Sequence, residues 1–86
     1  MPTVFIPVQW RDLTPGVERV EIRGATVRQV IAVLEEMFPG IAARAKNGDT
    51  LASGLSVSID GVMTNRMLAP ILSTSEVHFL PAIGGG

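Results

Sequence analysis

Few side chains in this sequence are equipped for chemistry, and their spacing does not combine them. His78 is the sole histidine, next to Phe79, with no second metal ligand and no nucleophile near it. Alternation in that apolar run turns Val77 and Phe79 inward and His78 outward, which makes it a surface residue. Asp60 and Glu76 are separated carboxylates suited to a turn and to a strand start. Glu35-Glu36 reads as a solvated helix face rather than an acid–base pair. None of Ser53, Ser56, Ser58, Ser73 and Ser75 has a base at a spacing that would activate it. The absence of cysteine removes disulfides, thiolate metal sites and a cysteine nucleophile together. No catalytic residue, no metal site and no bound cofactor are expected.

The exception is the end of the sequence, Ala82-Ile83-Gly84-Gly85-Gly86. Glycine averages ~7% of residues, so three in a row at a given place arise by chance roughly once in several thousand cases. They precede no helix, which excludes a phosphate loop. A frayed end is the bland reading. The chemical reading starts from the missing Cβ: a glycine strip is thin and adopts any backbone angle. Such a strip can thread a narrow channel and present its last carbonyl carbon to an active site in another protein. The α-carboxylate of Gly86 is anionic above a pKa of about 3.5 and is a poor electrophile. A partner must therefore activate it, most simply as a mixed anhydride with AMP. A carrier of this kind needs no catalytic side chain of its own.

Positioning such a tail requires a compact body. Val4, Ile6 and Val8 alternate along a first strand, with Pro7 unable to donate a ladder hydrogen bond. Thr14-Pro15-Gly16 is turn chemistry, and Val17 to Arg23 returns as a second strand with Val20 and Ile22 inward. The period then changes. Val27, Val30, Ile31, Leu34 and Phe38 form the stripe of an amphipathic helix, opened by a Thr26/Gln29 capping pattern and stopped by Pro39-Gly40. Ile41 to Lys46 suggests one further helical turn, followed by loop through Ser53. Leu55, Val57 and Ile59 alternate with Ser56, Ser58 and Asp60, and Asp60-Gly61 is a tight-turn pair leading to a short return strand at Val62 and Met63. Thr64 to Ser75 reads as loop, anchored inward by Leu68, Ile71 or Leu72. Val77 to Leu80 is the last strand. This order predicts an α+β chain folded as a β-grasp roll: a mixed sheet of four to five strands with one main helix across one face. The first and last strands then lie side by side in the sheet centre, and their pairing is parallel. The expected division is a body over residues 1–81 and a flexible glycine-rich tail over 82–86.

Charge and length narrow the functional classes. Eighty-six residues with a net charge of −1 make one small domain, and the basic residues are scattered among acidic ones. Nucleic-acid binding, which needs a basic stripe, is not expected. No apolar run approaches the ~18 residues of a membrane helix, and no secretion signal opens the sequence. A cytoplasmic location is the default.

The pattern as a whole resembles the ubiquitin-like sulfur carriers, a family that includes the small subunit of molybdopterin synthase and the thiamin- and cysteine-pathway carriers. The most specific match is Leu80-Pro81-Ala82-Ile83-Gly84-Gly85-Gly86, supported by Val57-Ser58-Ile59-Asp60-Gly61 and Phe38-Pro39-Gly40-Ile41. The Leu-Pro-Ala-Ile ending leans slightly towards the cysteine-pathway type. Ser73-Thr74-Ser75 departs from the Gly-Asp often found before the last strand. The resemblance implies an ATP-using activating enzyme that adenylates Gly86, a sulfur donor such as a persulfide, and an acceptor synthase that uses the resulting thiocarboxylate. Gly85 and Gly86 map onto the family's terminal pair, with Gly84 and Ile83 completing the tail. Two alternatives share the sequence: a protein modifier joined through Gly86, and a non-covalent interaction module with an incidental tail. Docking onto partners is expected at Phe5 and Leu80, both pointing to the face that the helix leaves open.

Overall fold

Pro7 decides how the chain begins. In the computed structural model, which describes residues 1–81, β1 (Thr3–Phe5) buries Val4, and Ile6 follows it into the core. Pro7 has no N–H for the ladder, and a 3-10 turn (Val8–Trp10) begins at once. Val8, expected inward with Val4 and Ile6, is therefore 75% exposed, and the turn drives Trp10 into the core instead. Gly16, at φ 78°, reverses the chain in the left-handed region that glycine tolerates. β2 (Arg19–Glu21) then returns antiparallel, with Val20 opposite Val4.

Helix α1 (Val27–Met37) buries Val27, Val30, Ile31 and Leu34, four of the five positions of its apolar stripe. Phe38 is half-buried at its C-cap. The Thr26 hydroxyl accepts from the Gln29 N–H at 3.2 Å, and the Gln29 side chain accepts from the Ala25 N–H at 2.7 Å. The next two donors of the first turn are met from outside the helix. Val27 N–H donates to the Ala69 carbonyl and Arg28 N–H to the Met67 carbonyl, at 3.3 and 2.8 Å. These bonds tie residues 67–69 to the helix start, where Ala69 N–H also closes a turn onto the Arg66 carbonyl at 3.2 Å. Ala69 and Ile71 are buried, whereas Leu68 and Leu72, also candidates for inward anchors, are each 66% exposed.

Helix α2 (Ile41–Ala45) is the expected extra turn, and the region read as loop after it contains a small hairpin, β3 (Lys46–Asn47) with β4 (Thr50–Leu51). Glu35, read as part of a solvated helix face, has a structural task. Its carboxylate accepts from Gly40 N–H at 3.1 Å and from Ala42 N–H at 2.8 Å, capping α2 from the end of α1. β5 (Leu55–Ile59) and β6 (Val62–Thr64) are joined by Asp60 and Gly61 at φ 51° and 85°, and β7 (Glu76–Pro81) closes the fold.

The main sheet runs β2-β1-β7-β5-β6, with β1 and β7 parallel and every other neighbouring pair antiparallel. This is the β-grasp roll with one long helix across one face. Its core combines the α1 stripe with Val4, Val57, Val77 and Phe79, and with Trp10, whose ring lies 5.0 Å from that of Phe79. Each such fully buried side chain contributes roughly 1.5–3 kcal/mol. Among the described residues no helix is long and apolar enough to cross a membrane.

Candidate docking face and tail exit

Sheet register sorts the open face into rows. Phe5 is opposite Arg19 on one side and His78 on the other, His78 is opposite Ser58, and Ser58 is opposite Met63. One line of side chains thus crosses all the strands on the side away from α1. At its centre the Phe5 and His78 rings stack in parallel, with centroids 4.2 Å apart and planes 4° from coincident. His78 does point outward, as alternation predicts, but it is half-buried in this stack rather than a lone surface group. Ser58 is buried beside it. The sequence carries no sign of the stack, because register between strands more than seventy positions apart is a product of the fold.

Leu80 stands two residues beyond His78 on the same face, opposite Ser56, and is 37% exposed. Phe5 and Leu80 line one groove of about 690 Å³, together with Val8, Arg11, Arg19 and Pro81. The direct ring partner of Phe5 is His78, and Leu80 forms the apolar continuation towards Pro81.

The other wall of the groove is the segment from Ile6 to Arg11, which sequence reasoning did not connect with a site. Several contacts hold it. Arg11 donates to the Ile6 carbonyl at 3.3 Å and lies 3.7 Å from the Glu18 carboxylate. Arg44 grips Asp12 through a two-pronged pair at 2.6 and 2.8 Å and also donates to the Gln9 carbonyl at 3.0 Å. Hydrogen bonding from Arg44 holds the Asp12 carboxyl below its ordinary range, and the Asp12 carboxylate raises Arg44 in turn. Trp10 roots the wall from inside. A buried Trp at this spacing was the available signal.

Pro81, the last residue of β7 and the last one described, is among the residues that line the groove. The residues expected to carry the chemistry, Ile83, Gly84, Gly85 and Gly86, lie outside the described residues. What the fold supplies is their attachment: β7 is paired to β1 over Glu76–His78 and to β5 over Val77–Pro81, so the last described residue is held in a strand of the sheet. Among the described residues no group of three or more His, Asp or Glu side chains converges as a metal site.

The sequence profile of the ThiS family matches residues 4–86, from β1 to the final glycine. The chain belongs to the ThiS family of ubiquitin-like sulfur carriers. Among solved structures, this ThiS-family chain resembles one in the Amycolatopsis orientalis BexX/CysO complex, at 30% identity and TM-score 0.89 over 100% of both chains. It also resembles Mycobacterium tuberculosis CysO, at 26% identity and TM-score 0.86 over 96% of this chain and 100% of that one. Small archaeal modifier protein 1 from Methanosarcina acetivorans shares the fold, with TM-score 0.77 at 19% identity over 99% and 95% of the two chains. No curated protein sequence gives a significant match.

Proposed function

We propose that this sulfur carrier works through the carboxylate of Gly86, with residues 82–86 as the arm that reaches into partner enzymes. An activating enzyme joins that carboxylate to the α-phosphate of ATP, releasing pyrophosphate and leaving an acyl adenylate. A persulfide then attacks the carbonyl carbon and expels AMP, and a thiol reduces the acyl disulfide to the thiocarboxylate. An acceptor synthase takes the sulfur for a cofactor or for cysteine. The observation that carries this reading is the family match that runs from β1 through Gly86. The 30%-identical relative crystallised as a BexX/CysO complex supports a partner that holds the carrier. A cytoplasmic location suits ATP-dependent activation of this kind.

The decisive measurement is the intact mass of the protein after incubation with its activating enzyme, ATP and a sulfur donor. A species with one oxygen exchanged for sulfur at the terminus is expected. Conjugates to protein lysines through Gly86 would make it a modifier instead, and an unchanged terminus would sink the proposal. Docking of these enzymes is assigned to the groove at Phe5 and Leu80, since an apolar patch beside the tail exit fits an interface. Phe5→Asp is expected to weaken binding of the activating enzyme at least tenfold, by roughly 1.4 kcal/mol or more, in titration calorimetry. Unchanged affinity would remove the groove from the account.

A further inference from the structure

Strand β2 lies at one edge of the sheet, so one of its sides has no neighbouring strand. Which residues face that side follows from the bonds on the other. Ile6 N–H donates to the Glu18 carbonyl at 2.8 Å and Ile22 N–H to the Pro2 carbonyl at 3.1 Å. Glu18 and Ile22 are therefore turned towards β1, as is Val20 between them, opposite Val4. Backbone polar groups alternate in direction along a strand, so those of Arg19 and Glu21 point away from the sheet. The side chains of both are exposed, and the salt bridges among the described residues involve neither. A hollow of about 430 Å³, lined by Thr3, Phe5, Arg19, Glu21 and Glu76 among others, lies beside them.

We propose that this edge recognises a second copy of the same chain. Two β2 strands join antiparallel about a two-fold axis through Val20, which sets Arg19 opposite Glu21 of the second copy and Glu21 opposite its Arg19. Both members of each pair have their backbone groups turned outward, so each pair exchanges its N–H···O bonds while the charges meet on the open face. Val20 faces Val20 and extends the inward row formed with Val4, Val77 and Ile59.

Other registers are selected against. A one-residue slip sets outward-turned backbone against inward-turned backbone and loses the bonds. A two-residue slip brings Arg19 against Arg19, or Glu21 against Glu21. Parallel pairing in register stacks like on like along the strand. Charged side chains on a sheet edge ordinarily deter foreign strands; this Arg-Val-Glu pattern deters them and admits its own copy. Arg19 also lines the docking groove, so self-pairing and partner binding draw on the same side chain.

Sedimentation of the full chain, at concentrations up to about 1 mM where weak association is populated, tests the proposal. A concentration-dependent dimer that loosens with added salt is expected. Arg19→Glu and Glu21→Arg should each weaken it roughly tenfold or more, since each makes both cross-strand pairs repulsive. Combining the two restores opposite charges and should restore the dimer. A protein monomeric throughout, or a dimer indifferent to either single reversal, overturns the assignment. The readout does not depend on Gly86, so a failure here leaves the sulfur-carrier reading intact.

Discussion

Asp60 is the one described non-glycine residue with a positive φ, and its side chain explains why the position tolerates it. Aspartate is among the few non-glycine residues that visit the left-handed region as single turn residues. Here the Asp60 carboxylate accepts from the Glu76 N–H at 2.9 Å, and the Asp60 N–H donates back to the Glu76 carbonyl at 3.0 Å. The β5–β6 turn is thereby fastened to the first residue of β7. The Glu76 N–H, and after it the Ser75 hydroxyl, hold the Asp60 carboxyl below its ordinary value of 3.8. A folded pKa below the unfolded one means the interaction stabilises the protein above about pH 4 and is lost as pH falls through the folded value. Asp60→Asn should accordingly flatten the fall in melting temperature below pH 4. Identical acid slopes for variant and parent would show that the carboxylate has no such role. Asp60 and Glu76 appear in the sequence as unrelated acids in a turn and at a strand start; both placements hold, and only the fold makes them neighbours.

At the scale of elements, local pattern was sufficient wherever one segment determines its own structure. The α1 stripe, the Thr26/Gln29 opening and the Asp60-Gly61 turn all act within a few residues, and all form as read. The readings that changed are those in which one element completes another. Val8 loses its inward place because Pro7 ends the strand and Trp10 takes the core position. Leu68 and Leu72 turn out to solvent at two turns, one closed by Ala69 N–H on the Arg66 carbonyl and the other by Ser75 N–H on the Leu72 carbonyl. Glu35 reaches past its own helix to cap α2, a contact invisible to helical periodicity. Glu35→Ala should therefore destabilise the domain by about 0.5–2 kcal/mol, as loss of a helix cap does. Its neighbour Glu36 is exposed, and Glu36→Ala should stay within about 0.5 kcal/mol of the parent. Chemical denaturation followed through the single Trp10 distinguishes the two, and equal effects would return Glu35 to the solvated face.

At the scale of the molecule, stability and proposed chemistry are separated along the chain. Among the described residues the core runs from Val4 to Phe79, and the proposed reacting group is seven positions beyond Phe79, at Gly86. Deleting Gly85 and Gly86 should leave the melting temperature within about 2 °C of the parent, since neither residue has a side chain to contribute to a core, while abolishing adenylation. Scanning calorimetry alongside pyrophosphate release measures both. A deletion that unfolds the body would show that the tail is part of the core rather than its delivery arm.

Composition, periodicity and turn chemistry by themselves established a β-grasp body with one main helix, and singled out the glycine end as the place for chemistry. These are properties of short segments, encoded by which side chains recur at which interval. Tertiary structure decided the rest: the Phe5–His78 stack, the groove between β7 and the start of the β1–β2 connection, and the outward turn of Arg19 and Glu21. Each depends on strand register and on which side of a backbone is already bonded. Those are fixed only when segments distant in sequence meet, so no interval within one segment encodes them.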